Sequence, residues 1–121
     1  MKILLADDDD GGRELVARML QSEGHEVVSV GDGAAAADEL DAGASNFDLL
    51  IADIDMPGLD GISVAKKARS ASAGIAVILI SAQEYQLAHA SEIAGGNVGA
   101  ISKPFPLEAL RAAVATATGR Q

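Results

Sequence analysis

The sequence contains no cysteine and no tryptophan, and its only aromatic side chains are Tyr85, Phe47 and Phe105. Without thiols, neither a disulfide nor a thiolate metal site can form. With so few rings there is no platform on which nucleic-acid bases could stack. Positive charge is scarce as well: nine lysines and arginines stand against eighteen acids, for a net charge of −9. A phosphate backbone is bound by clustered cations, so this balance argues against direct nucleic-acid binding and leaves proteins as the expected partners. No apolar run approaches the roughly 20 residues that span a bilayer. The amino terminus offers one lysine and four apolar residues before the acids begin, too little for a secretory leader. These absences predict a chain that is neither secreted nor membrane-associated and that works in the cytoplasm.

What is present is aliphatic. Apolar residues make up 49% of the 121 positions, enough for one core, and a single domain over residues 1–121 is expected. Five short apolar runs recur at even spacing: Ile3 to Ala6, Val27 to Val30, Leu49 to Ala52, Ile75 to Ile80 and Val98 to Ser102. Each has the length of a buried strand. Between them lie segments with helical spacing, such as Leu15, Met19 and Leu20, or Leu107, Leu110 and Val114, and Gly24 stands where a helix would end. Continuous rather than alternating apolar strands imply burial on both faces. Alternation with helices then implies a doubly wound, five-stranded parallel sheet, a (βα)5 α/β fold. In such sheets ligands bind beyond the carboxyl ends of the strands.

The residues predicted at that edge carry chemistry. The first strand runs into Asp7, Asp8, Asp9 and Asp10; the third ends at Asp53, with Asp55 two residues on; the fourth ends at Ser81; the fifth leads into Lys103. Two like charges about 4 Å apart repel by roughly 4 kcal/mol at an effective dielectric near 20, so gathering these acids requires a countercharge. A hard divalent cation suits all-oxygen ligation, and Mg2+ commonly takes one or two carboxylates and completes its shell with water or phosphate oxygens. Lys103 supplies a second positive charge. A carboxylate fixed among a metal, an ammonium and a hydroxyl can act as a nucleophile toward phosphorus.

Taken in order, Ile3-Leu4-Leu5-Ala6-Asp7-Asp8, then Asp53-Ile54-Asp55-Met56-Pro57-Gly58-Leu59-Asp60-Gly61, then Lys103-Pro104-Phe105 resemble, end to end, a receiver domain of the two-component response regulators. The resemblance implies a flavodoxin-like receiver fold in which Asp53 is phosphorylated by a sensor histidine kinase or a phosphotransfer protein. It also implies that Asp8, Asp53 and the main-chain carbonyl of Asp55 ligate Mg2+, with Asp7 assisting through water. Ser81 takes the place of the hydroxyl that binds a phosphoryl oxygen, Lys103 pairs with the phosphoryl group, and Lys103–Pro104 is cis. Such a domain is a signalling element rather than an enzyme with a separate substrate, and it acts on a downstream protein target, in some cases by phosphorylation-linked dimerisation. Ala82, Gln83, Tyr85 and Asp55 fall where residues lining the phosphoryl group's approach are expected. One position departs from the pattern: Ala100 stands where the family commonly has a switch aromatic.

Other features read differently. Asp10 is predicted to cap the first helix, with Asp9 solvated. Gly31-Asp32-Gly33-Ala34-Ala35-Ala36 fits the loose dinucleotide pattern, but it follows the second strand and would set Asp32 against a pyrophosphate, so no nucleotide or other organic cofactor is expected. His25 and His89 have no ligand partner at useful spacing and are read as solvated. Two alternative functions remain open. One is a phosphate-independent pseudo-receiver, which Ala100 would suit. The other is a phosphatase of the haloacid dehalogenase type, suggested by the D-x-D of Asp53 and Asp55, although there the D-x-D element usually precedes the acidic pair. Only 18 residues follow Lys103, so no effector domain is expected within the chain.

Overall fold

The computed structural model describes residues 1–83, 93, 95 and 97–119. Tyr85 and His89, and the helix that a (βα)5 repeat calls for between its last two strands, lie outside the described residues. The apolar runs form β1 (Lys2–Ala6), β2 (Glu26–Val30), β3 (Leu49–Asp53), β4 (Ala76–Ser81) and β5 (Val98–Ser102). These strands pair in parallel in the order β2-β1-β3-β4-β5. Four helices are described: α1 (Asp10–Ser22), α2 (Gly33–Gly43), α3 (Gly61–Ala71) and α4 (Leu107–Thr118). The predicted doubly wound parallel sheet is therefore the fold.

Successive side chains along a strand point to opposite faces, and this divides the core. Leu4, Leu50, Val77 and Leu79 pack with Ala36 and Leu40 of α2 and with Val64, Ala65 and Ala68 of α3. Ile3, Leu5, Ile51, Ile78 and Ile80 pack with Val16 and Leu20 of α1 and with Leu110 and Val114 of α4. The inner strands are buried along their length, apart from the half-buried first residues Lys2 and Ala76, whereas β2 and β5 are the sheet's edges. Val27, Val28 and Val30 are half-buried there and Ser29 is exposed; in β5 Ala100 is exposed. Continuous apolarity thus marks an edge strand as readily as a central one.

Three local expectations change. Helix α1 begins at Asp10 itself, with Asp9 in the cap position and no side-chain cap bond. The Asp10 carboxylate instead accepts from Arg13 Nη2 at 2.7 Å, because an acid in the first turn gains both from the helix dipole and from a cation three residues on. Leu15 is 55% exposed, whereas Val16, Ala17, Met19 and Leu20 form the buried stripe. Spacing to Met19 alone did not place Leu15 on the inner face. His25 is half-buried rather than solvated, with the Met1 amino group 3.4 Å from its Nδ1. Gly24 behaves as predicted: its φ is +90°, and its N–H donates to the Gln21 carbonyl at 3.0 Å, closing the end of α1.

This division of burial sets a stability contrast. Leu79→Ala, at a fully buried position, should cost about 2–5 kcal/mol of unfolding free energy, whereas Val28→Ala on the half-buried edge should cost less than half as much. Urea titrations with an unchanged m-value measure both.

Candidate functional site

The carboxyl ends of β1, β3, β4 and β5 meet along one edge of the sheet. Parallel pairing sets Ala6 beside Ala52 and Asp53 beside Ile80, so the residues that follow these strands must share a cleft. Asp7 leaves β1 with its N–H donated to Val30 at 3.2 Å, and the loop after it is tied by Arg13, whose Nη1 donates to the Asp7 carbonyl at 2.6 Å. Asp53 ends β3, and the next residue is fixed by the Ile54 N–H donating to Ile80 at 2.8 Å. Lys103 follows β5, its N–H donates to the Ser81 carbonyl at 2.8 Å, and the peptide bond to Pro104 is cis.

This framework brings Asp7, Asp8, Asp53 and Lys103 together. Each acid offers one carboxylate oxygen to a group whose members lie within 4.8 Å of one another. Asp7 and Asp53 are each 4% exposed, so their charges are largely removed from water; Asp8 is exposed. Lys103 Nζ lies 2.6 Å from Asp53 Oδ2 and 3.3 and 3.4 Å from the Asp7 oxygens. The other Asp53 oxygen, Oδ1, accepts from the Asp55 N–H at 2.9 Å. Asp7 Oδ1 accepts from the Asp9 N–H at 3.0 Å. The Asp55 side chain is exposed, and its main-chain N–H meets the Asp53 carboxylate.

Burial pushes the Asp53 carboxyl above its ordinary 3.8, and the neighbouring charge of Asp7 adds to the rise; the hydrogen bonds from Lys103 and Asp55 and the charge of Lys103 oppose it without cancelling it. Burial by itself would lower the Lys103 ammonium. The hydrogen bond to Asp53 and the charges of Asp53 and Asp7 outweigh that effect and hold it above its ordinary 10.5. One ammonium among three acids therefore leaves an uncompensated negative charge. The donor set, carboxylates with an adjoining main-chain segment and no nitrogen or sulfur ligand, fits a hard divalent cation.

Ser81 is fully buried at the end of β4. Its hydroxyl is engaged with Gln83, donating to the carbonyl at 3.0 Å and accepting from the N–H at 3.0 Å. Ala82 and Gln83 are exposed beside it. The glycines around Asp32 do not make a phosphate cradle, because the Asp32 carboxylate occupies the helix terminus by accepting from the Ala35 N–H at 2.7 Å. Arg13 was not singled out from sequence. Its spacing from Asp10 was the available signal, but that spacing also describes any exposed helix pair.

A family model for the response regulator receiver domain matches residues 3–115. The response regulator MprA of Mycobacterium avium is 34% identical over 115 residues, which cover 93% of this chain and 48% of that protein. The chain spans about half the length of the curated relatives it matches. Among solved structures, the receiver domain of the hybrid histidine kinase CckA superposes with a TM-score of 0.81 at 32% identity, covering 98% of this chain and 99% of that one. The response regulator TrrA of Thermotoga maritima, determined in complex with Mg2+ and BeF, gives a TM-score of 0.80 at 32% identity, covering 93% and 95%. With nearly the whole sheet and its acidic edge inside the matched span, the chain belongs to the response regulator receiver domain family of two-component signalling.

Proposed function

We propose that residues 1–121 form a single receiver unit in which Asp53 accepts a phosphoryl group from a sensor histidine kinase or a phosphotransfer protein, in the cytoplasm, and so alters contacts with a downstream protein or with a second copy of the chain. The observation that carries this reading is the Asp53 carboxylate: buried, held by Lys103 at 2.6 Å, and grouped with Asp7 and Asp8. Asp8, Asp53 and the main-chain carbonyl of Asp55 would ligate Mg2+, with Asp7 acting through water. When bound, the ion neutralises charge on the transferring oxygens.

The chain's own residues supply the positioning that dominates phosphoryl transfer. Asp53 is fixed at both oxygens, by Lys103 and by the Asp55 N–H, which restricts the carboxylate to one orientation. One of its oxygens forms a bond to phosphorus as the bond from phosphorus to the donor imidazole nitrogen breaks. The electron pair stays with the imidazole. Lys103 then pairs with the phosphoryl oxygens, and the Ser81 hydroxyl turns from Gln83 to donate to one of them. Exposed Ala82 leaves the approach open. Beside the cleft, a cavity of about 460 Å3 lined by Leu15, Val16, Pro104 and Phe105 offers apolar surface to a protein donor. No separate substrate is turned over: the domain takes part only in its own phosphorylation and dephosphorylation.

Beryllium trifluoride with Mg2+, a phosphoryl mimic, should bind the native protein and not Asp53→Ala, as followed by fluorine NMR; equal binding to both would remove the proposal. Mg2+ alone at tenfold its dissociation constant should stabilise the native protein by about 1.4 kcal/mol, and Asp8→Asn should lose most of that gain in a thermal melt. Full signalling by an Asp53→Asn variant in cells would instead favour a phosphate-independent pseudo-receiver, the reading that exposed Ala100 suits.

The raised Asp53 carboxyl sets a pH dependence for the metal-free protein. The folded state holds the proton more tightly than the unfolded state does. This contribution to stability is complete below 3.8 and is lost as pH rises through the higher folded value. Asp53→Asn removes the desolvated charge, so in chelator at neutral pH it should melt above wild type, with the difference shrinking as pH falls toward 3.8. A melting series from neutral to acidic pH measures it.

A further inference from the structure

We propose that the first turn of α2, through Gly33, is a positioning element for the phosphoryl-accepting site: it sets the loop that carries Asp55 from β3 to α3. The proposal rests on the reading of Asp53 as acceptor and names a residue that acts on Asp53 through that loop.

The loop runs over residues 54–60 and is anchored at both ends. At its start, the Ile54 N–H donates to Ile80 at 2.8 Å and the Asp55 N–H donates to Asp53 Oδ1 at 2.9 Å. At its end, Asp60 caps α3 by accepting from the Ser63 N–H at 2.8 Å, and the Gly61 N–H returns to the Ile54 carbonyl at 3.0 Å. Its middle is held from outside, by α2. The Gly33 N–H donates to the Pro57 carbonyl at 3.2 Å. A Cβ on Gly33 would stand 1.8 Å from the Leu59 carbonyl oxygen, 2.6 Å from its carbon and 2.8 Å from the Leu59 Cα. These are main-chain atoms and cannot rotate aside, so any side chain at this buried position would push the loop back by roughly 1.5 Å or more to reach ordinary van der Waals separation.

The turn that makes this contact is itself fixed. Asp32 caps α2 through Ala35 at 2.7 Å, and Ala36, Ala37 and Leu40 bury the helix against the sheet. The glycine that resembles a nucleotide loop in sequence therefore permits a backbone-to-backbone contact. With both ends of the loop anchored, a shift at Pro57–Leu59 is passed to Asp55, whose N–H orients the Asp53 carboxylate.

Three substitutions test this: Gly33→Ala, Asp32→Ala and Asp32→Asn, with Gly74→Ala as control because nothing lies within 4 Å of a Cβ there. Two readouts are needed: the Asp55 amide resonance and its exchange protection in metal-free protein, and the Mg2+ dissociation constant by calorimetry. Gly33→Ala should displace the Asp55 amide without metal and weaken Mg2+ binding by about tenfold or more, the loss usual when a group supporting a metal ligand is disturbed. Asp32→Ala should weaken binding in the same sense and by less. Asp32→Asn, which caps a helix as well as Asp does, should restore it, and Gly74→Ala should match wild type. A folded Gly33→Ala protein with an unmoved Asp55 amide and unchanged Mg2+ affinity would overturn the proposal. If that variant does not fold, equal behaviour of Asp32→Ala and Asp32→Asn overturns it. Should wild type itself fail to bind Mg2+, the acceptor reading fails, while the metal-free Asp55 signal still decides the positioning role.

Discussion

The removal of carboxylates from water at one edge of the sheet governs this structure. Asp7 and Asp53 lie almost wholly out of water beside Asp8, an arrangement that would cost several kcal/mol if the charges were uncompensated. Lys103 offsets part of that cost from within the chain, at 2.6 Å from Asp53. Burial, with a smaller contribution from the charge of Asp7, still holds the Asp53 carboxyl above its ordinary range. A site that holds one ammonium among three clustered acids fits a hard divalent cation.

The sheet makes this arrangement tolerable. Strands β1, β3 and β4 are largely apolar and buried on both faces, and they pack against the four described helices. The acids stand at or just past those strand ends: the Asp7 N–H donates to the Val30 carbonyl, the Ile54 N–H next to Asp53 donates to the Ile80 carbonyl, and Arg13 donates to the Asp7 carbonyl. Packing and charge are thereby carried by different residues: aliphatic interiors hold the fold, and the strand ends carry the clustered acids and Lys103.

Much of this was legible in the sequence because strand-end placement depends only on where apolar runs stop. Asp7, Asp8, Asp53 and Lys103 each follow such a run, and the structure brings them together. Features that depend on register around a helix were less legible. Any member of the aspartate run could have stood at the start of α1; Asp9 takes the cap position without a side-chain cap bond, and Asp10 pairs with Arg13. Leu15 shares a spacing with Met19 yet faces outward, because the buried stripe is centred on Val16 and Leu20. The role of Gly33 was hidden for another reason: a close approach between main chains and a phosphate cradle call for the same glycine. Burial on both faces, inferred for all five strands, fails for β2 and β5, since a sequence does not declare which strands end the sheet.

Ala100 leaves β5 without the ring that receiver domains commonly use to report movement at the Ser/Thr position. What this chain has instead is a hydroxyl knotted to its own backbone, with Ser81 Oγ both giving a proton to the Gln83 carbonyl and taking one from the Gln83 amide. Drawing that oxygen toward the acids would untie both bonds at once. The carbonyl and the amide of Gln83 would then both need new partners.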